Sequence, residues 1–451
     1  MEETTELKRA LGIGYTTLFG VGLILGAGIY VLVGRIAEYV GDAIWISVVF
    51  ATVIALLTGL SYAEFASMFP KAASSHTYVQ QTFPKLQLLA FFSGWLIAFE
   101  GIAGAVTAAV GFARYFAGIL GWSLIWVPTI ALILIIIMSF VNWYGIEESG
   151  TLIVLFTFIE AMGLVFVSLL GLLFPQRTSV QYFQISTDIN PMLAVLLGAA
   201  VFYFAFTGFE LQPTLAEEVK EPKKTVPKAI ILALLVCSAL YILVAVSVVR
   251  LLPPDQLAAS PSPLADAAKA AWGSAYIILA AVALFSTSNT VLGFLVSSSR
   301  LIYGLADEGI LPPKLKEVHK KRQTPHFAVM ISAFIAILIL VITEYLPELT
   351  GWKVISIGGK EYPLIDLVGK TASLACLIVF VIINLAVVVF RFKEPEIERG
   401  FKVRPLILPI IGAILTAIFI VTSFLDWIIW VTTAVVILIG WVLYYLAPKM
   451  K

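Results

Sequence analysis

The chain has 451 residues, of which 60% are hydrophobic and only 13% are charged, and its mean hydropathy is +1.00. A water-soluble protein of this length could not bury so much apolar surface, so the composition predicts a membrane protein whose immediate partner is the lipid bilayer. The formal net charge of +1 provides no basic surface for nucleic acid, and no nucleic-acid partner is predicted.

Apolar stretches of about 20 residues, the length that crosses a bilayer, occur about twelve times along the chain. The first follows a polar N-terminal segment, residues 1–10, without an evident signal-peptide cleavage site. The segments lie at residues 13–34, 43–69, 86–120, 122–140, 150–174, 191–217, 228–252, 274–306, 327–343, 364–392, 405–425 and 427–446. The sequence therefore predicts an all-α polytopic membrane protein with about twelve transmembrane helices.

The distribution of basic residues predicts the orientation in the membrane. An even number of spans places both termini on one side, and most of the 29 Lys and Arg residues fall in connections on that side. Because basic loops are retained in the cytoplasm, we expect both termini, including the tail 447–451, to be cytoplasmic and the protein to lie in the plasma membrane. The basic stretches 314–322 and 391–404 are expected to be solvated loops near anionic lipid.

Two of the apolar segments are interrupted in the middle. The first contains Gly26 and Gly28, and the sixth contains Gly208 after a run of aromatic residues. Glycine inside a helix costs about 1 kcal/mol relative to alanine. A membrane tolerates the resulting unpaired backbone groups only where they are buried in protein or line a cavity. Paired interruptions are the best sequence indication of a transporter's binding site.

The two interruptions occupy equivalent places in the chain. Each lies in the first helix of a block of five, the first block at residues 11–175 and the second at 190–392, with two further helices at 405–446. Blocks with an odd number of helices insert with opposite orientation, as an inverted repeat requires. The alternative is that these glycines only allow close helix packing, which is common in membranes.

Opening a helix in the membrane frees groups that suit a zwitterion. The N–H groups of Ala27 and Gly28, at the start of the outgoing half-helix, are predicted to face a carboxylate. The carbonyl groups of Ile24, Phe204 and Thr207 are predicted to face an amine. The ligand that fits both kinds of group is a zwitterion.

Three motifs resemble those of one known family. The run FAFTGFE at 204–210, with the acidic and proline-containing loop that follows to residue 230, looks like the sixth helix and next loop of amino acid permeases of the amino acid–polyamine–organocation (APC) superfamily. The run GAGIY at 26–30 is similar to the first-helix motif of that superfamily, which often has serine where Ala27 stands. Residues 299–312 resemble the end of its eighth helix, and the resemblance covers essentially the whole chain.

The resemblance implies a LeuT-type fold, a 5+5 inverted repeat with discontinuous helices 1 and 6. It also implies secondary transport of amino acids by alternating access, with Phe204 as an aromatic gate over the substrate. The third helix, near Ile102, is expected to line the substrate path. Small and apolar neighbours favour neutral amino acids. A cationic substrate paired with Glu100 is the alternative, and an exchange mechanism is also possible.

Three carboxyl groups inside predicted spans are candidates for proton coupling, since an ionisable residue in a membrane helix is expensive and indicates function. Glu160 lies in the middle of the fifth segment, Glu100 in the third, and Glu210 directly after the second interruption. The alternative is a structural hydrogen bond for Glu160 and a structural pairing for Glu100, and Glu210 is expected to link substrate binding to the cytoplasmic half of the sixth helix. Hydroxyl groups at 286–288 could instead serve sodium coupling, which we rank below protons because Glu160 would compete for the same space.

Neither a metal site nor a cofactor is predicted. Cys237 and Cys376 fall in apolar segments and are expected to be small buried hydrophobes, and no group of His, Cys and carboxylate residues has metal-ligand spacing. An enzyme is disfavoured because no histidine lies in a predicted span and the acidic residues are scattered. A channel is a further alternative, although a continuous pore has no need of paired broken helices. The sequence does not indicate an oligomeric state.

Overall fold

The structure is a computed structural model that describes residues 7–185, 189–260, 262–351, 354–357 and 360–446. The predicted N-terminal segment is therefore covered only from Leu7, and the predicted tail 447–451 lies outside the described residues. Helix makes up 79% of the chain, which confirms the predicted all-α class. The helices of the first half are α1 Ile13–Ile24, α2 Ala27–Val40, α3 Ile44–Met68, α4 Ser75–Thr82, α5 Gln87–Leu120, α6 Val127–Tyr144 and α7 Ile146–Leu173.

The second half begins with the other interrupted segment. Its helices are α8 Pro191–Tyr203, α9 Pro222–Val248, α10 Pro254–Ala259, α11 Pro263–Ala271, α12 Ala275–Asp307, α13 His326–Leu340, α14 Leu346–Thr350, α15 Leu364–Lys393, α16 Ile407–Ser423 and α17 Trp427–Leu446. Strands β1 Val354–Ile357 and β2 Lys360–Pro363 form an antiparallel hairpin. The sequence analysis did not predict this hairpin, which lies in the connection between α14 and α15.

Among the described residues, nine helices are long and apolar enough to cross a membrane, and three shorter apolar helices accompany them. The outer surface of the helices is apolar, as contact with lipid requires. Large apolar side chains of α6 such as Ile133, Ile136 and Phe140 are more than half exposed. In water a face of this kind would be unstable. The chain is therefore a multi-pass membrane protein.

Two predicted segments depart from regular α-helix. The sixth does not resume as an α-helix after its interruption, because residues Gln212–Glu218 form a 3-10 helix with Pro213 near its start. The ninth passes through a π-helical turn at Val341–Tyr345 before α14. The connection 253–273 forms the short helices α10 and α11.

We call the end of the bundle that carries α4 and the connections 308–325 and 394–404 the inner end, and the opposite end, with α10, α11 and the hairpin, the outer end. At the inner end, Glu64 of α3 accepts hydrogen bonds from Arg391 and from the backbone N–H of Val403, the latter at 2.8 Å. The Nε atom of Arg399 lies 3.4 Å from the same carboxylate. The expectation of a solvated loop at 391–404 is therefore wrong for Arg391 and Arg399, because a fully buried carboxylate holds them.

Candidate functional site

The first interruption separates α1 from α2 at Leu25 and Gly26, both of which have extended backbone. No side chain caps the N-terminus of α2, so its first N–H groups are open to a ligand. Gly26 lies so close to α12 that a Cβ atom would come within 2.9 Å of the Thr290 hydroxyl oxygen. A Cβ atom on Gly28 would come within 3.3 Å of the Cα atom of Ala205, in the second interruption. The two interruptions therefore lie in contact.

The second interruption is a 3-10 turn, Phe204–Phe206, followed by extended Thr207 and by Gly208 with φ +118°. A Cβ atom on Gly208 would lie 2.4 Å from the carbonyl oxygen of Leu23 in α1. The N–H of Gly208 donates to both carboxylate oxygens of Glu210, at 2.8 and 2.9 Å. This local loop explains why the helix stops here: the side chain of Glu210 replaces the missing carbonyl partner of the Gly208 N–H.

A cavity of about 120 Å³ lies between the two interruptions. Its volume is roughly ten times the minimum that holds one water molecule. Of the predicted substrate-binding residues, five line it: Ile24, Gly26, Gly28, Phe204 and Thr207. The cavity therefore joins the two elements that the sequence analysis singled out.

The other predicted residues take different positions. Gly208 packs behind the cavity against α1, and Ala27 contributes the first backbone position of α2. Ile102 is buried but does not line the cavity, so its prediction as a binding residue is not supported. The cavity-lining face of α5 contains Glu100 and Gly104. Ile102 lies two residues from Glu100, about 200° around the helix.

Tyr241 of α9 is a residue that the sequence analysis missed. Its buried hydroxyl group lies within hydrogen-bond distance of two acceptors, the carbonyl oxygen of Ile24 at 3.0 Å and that of Ala205 at 2.9 Å. One side chain thus bridges both interruptions. No local signal marks this tyrosine, because the contact joins residues more than 200 positions apart.

Glu100, which lines the cavity, lies close to Glu210, although the two residues are far apart in sequence. One ligand atom of each carboxyl group and the sulfur of Cys376 all lie within 4.8 Å of one another. All three side chains are buried. The fold therefore assembles a group of potential metal ligands that no sequence spacing indicated.

Glu160 lies in a separate polar cluster between α7 and α12. Its Oε1 atom accepts a hydrogen bond from Ser286 at 2.5 Å, and the amide of Asn289 donates to Thr157 at 3.0 Å. Two buried oxygen atoms in the cluster, Oε2 of Glu160 and Oδ1 of Asn289, have no hydrogen-bond partner. The cluster touches α1, because a Cβ atom on Gly22 would lie 2.1 Å from the Thr157 hydroxyl oxygen.

The cavity extends toward the outer end. A second cavity of about 420 Å³ shares Phe204, Thr207 and two other residues with it and reaches Asp366 and Lys370 of α15. The side chain of Phe204 is 44% exposed and stands between the two cavities, the place that a gate would occupy.

Polar contacts close the inner end. Arg300 of α12 donates to the Glu218 carboxylate at 3.0 and 3.2 Å, and both side chains are fully buried. The Nε2 atom of His76 in α4 lies 3.2 Å from the Glu308 carboxylate. Burial acts to raise the pKa of Glu308, but hydrogen bonds from His76 and Thr77 together with the nearby charges of His76 and Lys71 outweigh it, so the pKa lies below its ordinary value. Glu308 is therefore ionised at neutral pH and holds α4 against the end of α12.

The Arg300–Glu218 pair gives a testable stability effect. Glu218→Gln should destabilise the fold by about 3–5 kcal/mol, because it leaves the Arg300 charge buried without a counter-charge. The check is the midpoint of thermal unfolding of the purified protein in detergent. Glu221→Gln is the matched control, since Glu221 and its partner Lys224 are about three-quarters exposed and such pairs contribute little. Equal midpoints for the two variants would contradict the assignment.

The interrupted helices around this cavity are the architecture of the LeuT-like fold. A point mutant of the manganese transporter of Eremococcus coleocola has the same fold, with a TM-score of 0.61, 14% identity, and coverage of 96% of this chain and 93% of that one. A family model described as amino acid permease matches residues 11–447. The chain belongs to this amino acid permease family of the APC superfamily, which confirms the predicted family, the predicted fold class and the prediction that it is not an enzyme.

Individual relatives differ in the substrates that their names give. The branched-chain amino acid permease BcaP of Bacillus subtilis is 30% identical over 98% of this chain and 94% of its own length. The methylthioribose transporter of Bacillus subtilis is 28% identical over 99% of this chain and 95% of its own length. The vacuolar cationic amino acid transporter 4 of Arabidopsis thaliana is 30% identical over 71% of this chain, which spans 56% of that relative.

Proposed function

We propose that this permease is a proton-coupled symporter of neutral amino acids that works by alternating access in the plasma membrane, with both termini in the cytoplasm. The observation that carries the proposal is the cavity at the junction of the two helix interruptions. It offers backbone groups of both polarities in one small volume. An amino acid is the ligand that needs both.

The carboxylate end of the substrate would bind the N-terminus of α2. The N–H groups of Ala27 and Gly28 belong to its first turn, where unpaired donors and the helix dipole favour an anion. The amine would bind carbonyl groups at the ends of α1 and the 3-10 turn. The carbonyl of Ile24 accepts one bond, from Tyr241, and keeps a second lone pair. The carbonyl of Phe204 already accepts from the N–H and hydroxyl of Thr207, so the carbonyl of Ile24 is the better acceptor for the amine.

The other residues that line the cavity favour a substrate with a small or aliphatic side chain. Gly104 of α5 faces Phe294 of α12, and Gly369 and Ala372 of α15 lie beside them. These residues offer apolar surface with little polar capacity. The branched-chain specificity in the name of the BcaP relative agrees with this character. A neutral amino acid is therefore our first candidate.

A cationic amino acid is the second candidate, and one observation favours it. Glu100 is the one charged residue among the described residues that line the cavity, and its Oε2 atom has no hydrogen-bond partner. A long basic side chain that crossed the cavity would supply the missing donor. The names of the cationic amino acid transporter relatives agree with this alternative.

The coupling proton is assigned to Glu160. A proton on its Oε2 atom would supply a donor in a cluster where the carboxyl oxygen and the Asn289 oxygen both lack a partner. Since this cluster packs against Gly22 of α1, a change of protonation would be transmitted to the first interrupted helix. The role of Glu100 and Glu210 in coupling stays a prediction.

Uptake into proteoliposomes tests the proposal. The purified protein should accumulate radiolabelled leucine when the outside is made acidic, and an inward sodium gradient at equal pH should have no effect. Lysine should compete weakly. Sodium-dependent uptake without a response to pH would contradict proton coupling, and stronger competition by lysine than by leucine would favour the cationic alternative. Uptake that requires internal amino acid would indicate exchange.

A further inference from the structure

Glu100, which lines the cavity, belongs to a group of three side chains from three different elements. Glu100 comes from α5, Glu210 from the unwound segment after Gly208, and Cys376 from α15. Cys376 lies one helical turn beyond Ala372, which lines the cavity, so both face the same side of α15. Three donor atoms, one from each side chain, lie within 4.8 Å of one another. We call this group the floor cluster.

The floor cluster lacks a partner that its chemistry requires. Glu100 is 4% exposed, yet its Oε2 atom has no hydrogen-bond partner. Such an oxygen costs free energy when it is buried away from water. No Lys, Arg or His is found among the described residues that line the cavity. Two carboxyl groups and a thiol therefore face one another without a basic side chain from the lining to balance them.

We propose that the floor cluster binds a thiophilic divalent cation, with Zn²⁺ as the best fit. Zn²⁺ accepts both cysteine sulfur and carboxylate oxygen, and three protein ligands with a fourth open position form a common zinc site. Mg²⁺ and Ca²⁺ prefer sites made of oxygen alone, so the thiol selects against them. This assignment is independent of the substrate and coupling ion of the transporter.

The spacing of the donor atoms suits this cation. Zn–O and Zn–S bonds of about 2.0–2.3 Å place tetrahedral ligands roughly 3.3–3.8 Å apart. Donor atoms within 4.8 Å need to close by at most about 1.0–1.5 Å to reach that geometry. Side-chain torsions of the two glutamates can supply this movement, while Cys376 is held in the middle of α15.

A bound cation would join three elements that enclose the substrate cavity. Helix α5, the segment of the second interruption and α15 would be linked by coordination bonds to one cation. Glu210 also holds the N–H of Gly208, so the cation would fix the interruption itself. Micromolar Zn²⁺ should therefore inhibit transport. Binding, rather than inhibition, provides the direct test.

The test is a Co²⁺ titration of the purified full-length protein in detergent, followed by displacement with Zn²⁺. A cysteine ligand to Co²⁺ gives a thiolate charge-transfer absorption band. We expect this band to saturate at one equivalent in the wild type and to disappear on addition of Zn²⁺. Cys376→Ser should abolish the band. Cys237→Ser, at the other buried cysteine, should leave it unchanged, because Cys237 of α9 is not in the floor cluster.

The carboxylate ligands need a separate variant. Glu100→Gln keeps the thiol and should weaken Zn²⁺ binding at least tenfold, because even the loss of an outer-shell partner costs about 10- to 100-fold. This variant also decides the question if Cys376→Ser does not fold, as judged by gel filtration. The proposal fails if the wild type gives no thiolate band, if the band persists in Cys376→Ser, or if Glu100→Gln binds Zn²⁺ as tightly as the wild type.

Discussion

Replacing Gly208 with alanine is expected to reduce the initial rate of amino acid uptake at least about 100-fold. Gly208 has φ +118°, a conformation that costs other residues roughly 1–3 kcal/mol. The added Cβ atom would also lie 2.4 Å from the carbonyl oxygen of Leu23, and a backbone atom cannot rotate away. The variant must separate α1 from the second interruption, and the cavity is built from that contact. A total cost of about 2.8 kcal/mol corresponds to the 100-fold effect.

The measurement is proteoliposome uptake with the amount of inserted protein held equal. Gly309→Ala is the matched control, because Gly309 also has a positive φ, +76°, but no heavy atom lies within 4 Å of the added Cβ position. It should retain most of the uptake. If Gly208→Ala and Gly309→Ala transport equally well, the contact between the interruptions is not required. If both fail, the backbone conformation rather than the contact explains the loss.

Replacing Glu160 with glutamine is expected to abolish accumulation driven by a pH gradient. A gradient of one pH unit stores about 1.4 kcal/mol per proton, which supports about tenfold accumulation at one proton per substrate. The glutamine keeps the shape and polarity of the side chain but does not take up and release a proton. The variant should therefore equilibrate substrate across the membrane without concentrating it.

Counterflow separates this loss of coupling from a loss of folding. Liposomes loaded with unlabelled substrate should still take up labelled substrate through Glu160→Gln. Glu147→Gln is the control on the same helix, since Glu147 is more than half exposed and contacts Lys8 at the inner end. It should accumulate substrate as the wild type does. Undiminished accumulation by Glu160→Gln would remove Glu160 from the coupling role.

The two interruptions could be predicted from the sequence because their cause is local. Glycine weakens a membrane helix wherever it stands, and the equivalent positions of Gly26 and Gly208 in two blocks of five helices follow from the order of apolar segments. The structure adds that both positions are close contacts between neighbouring helices, with a side chain at Gly26 and with backbone at Gly208. The first glycine lies against Thr290 and the second against Leu23.

The side chains around the cavity could not be predicted in the same way. The family resemblance indicates that the helix around residue 102 lines the substrate path but not which of its faces turns inward, so the prediction names Ile102, whereas Glu100 and Gly104 line the cavity. The rotation of a helix that is apolar on all sides is set by its neighbours, and its own sequence carries little information about it. Tyr241 and Cys376 were missed for a related reason, since their roles depend on residues from distant segments.

The hydroxyl group of Tyr241 has one hydrogen atom but faces two carbonyl oxygens, those of Ile24 and Ala205. At any moment, therefore, one of these carbonyls lacks a full donor from this group. An ammonium group carries three donors and no acceptor, so a substrate amine that reached this place would correct the shortage without displacing an internal bond. A ligand with a carboxylate but no amine would leave the shortage in place. The site is thus poorer in donors than in acceptors beside Tyr241, and on the proposed function this imbalance would favour a ligand that carries an amine.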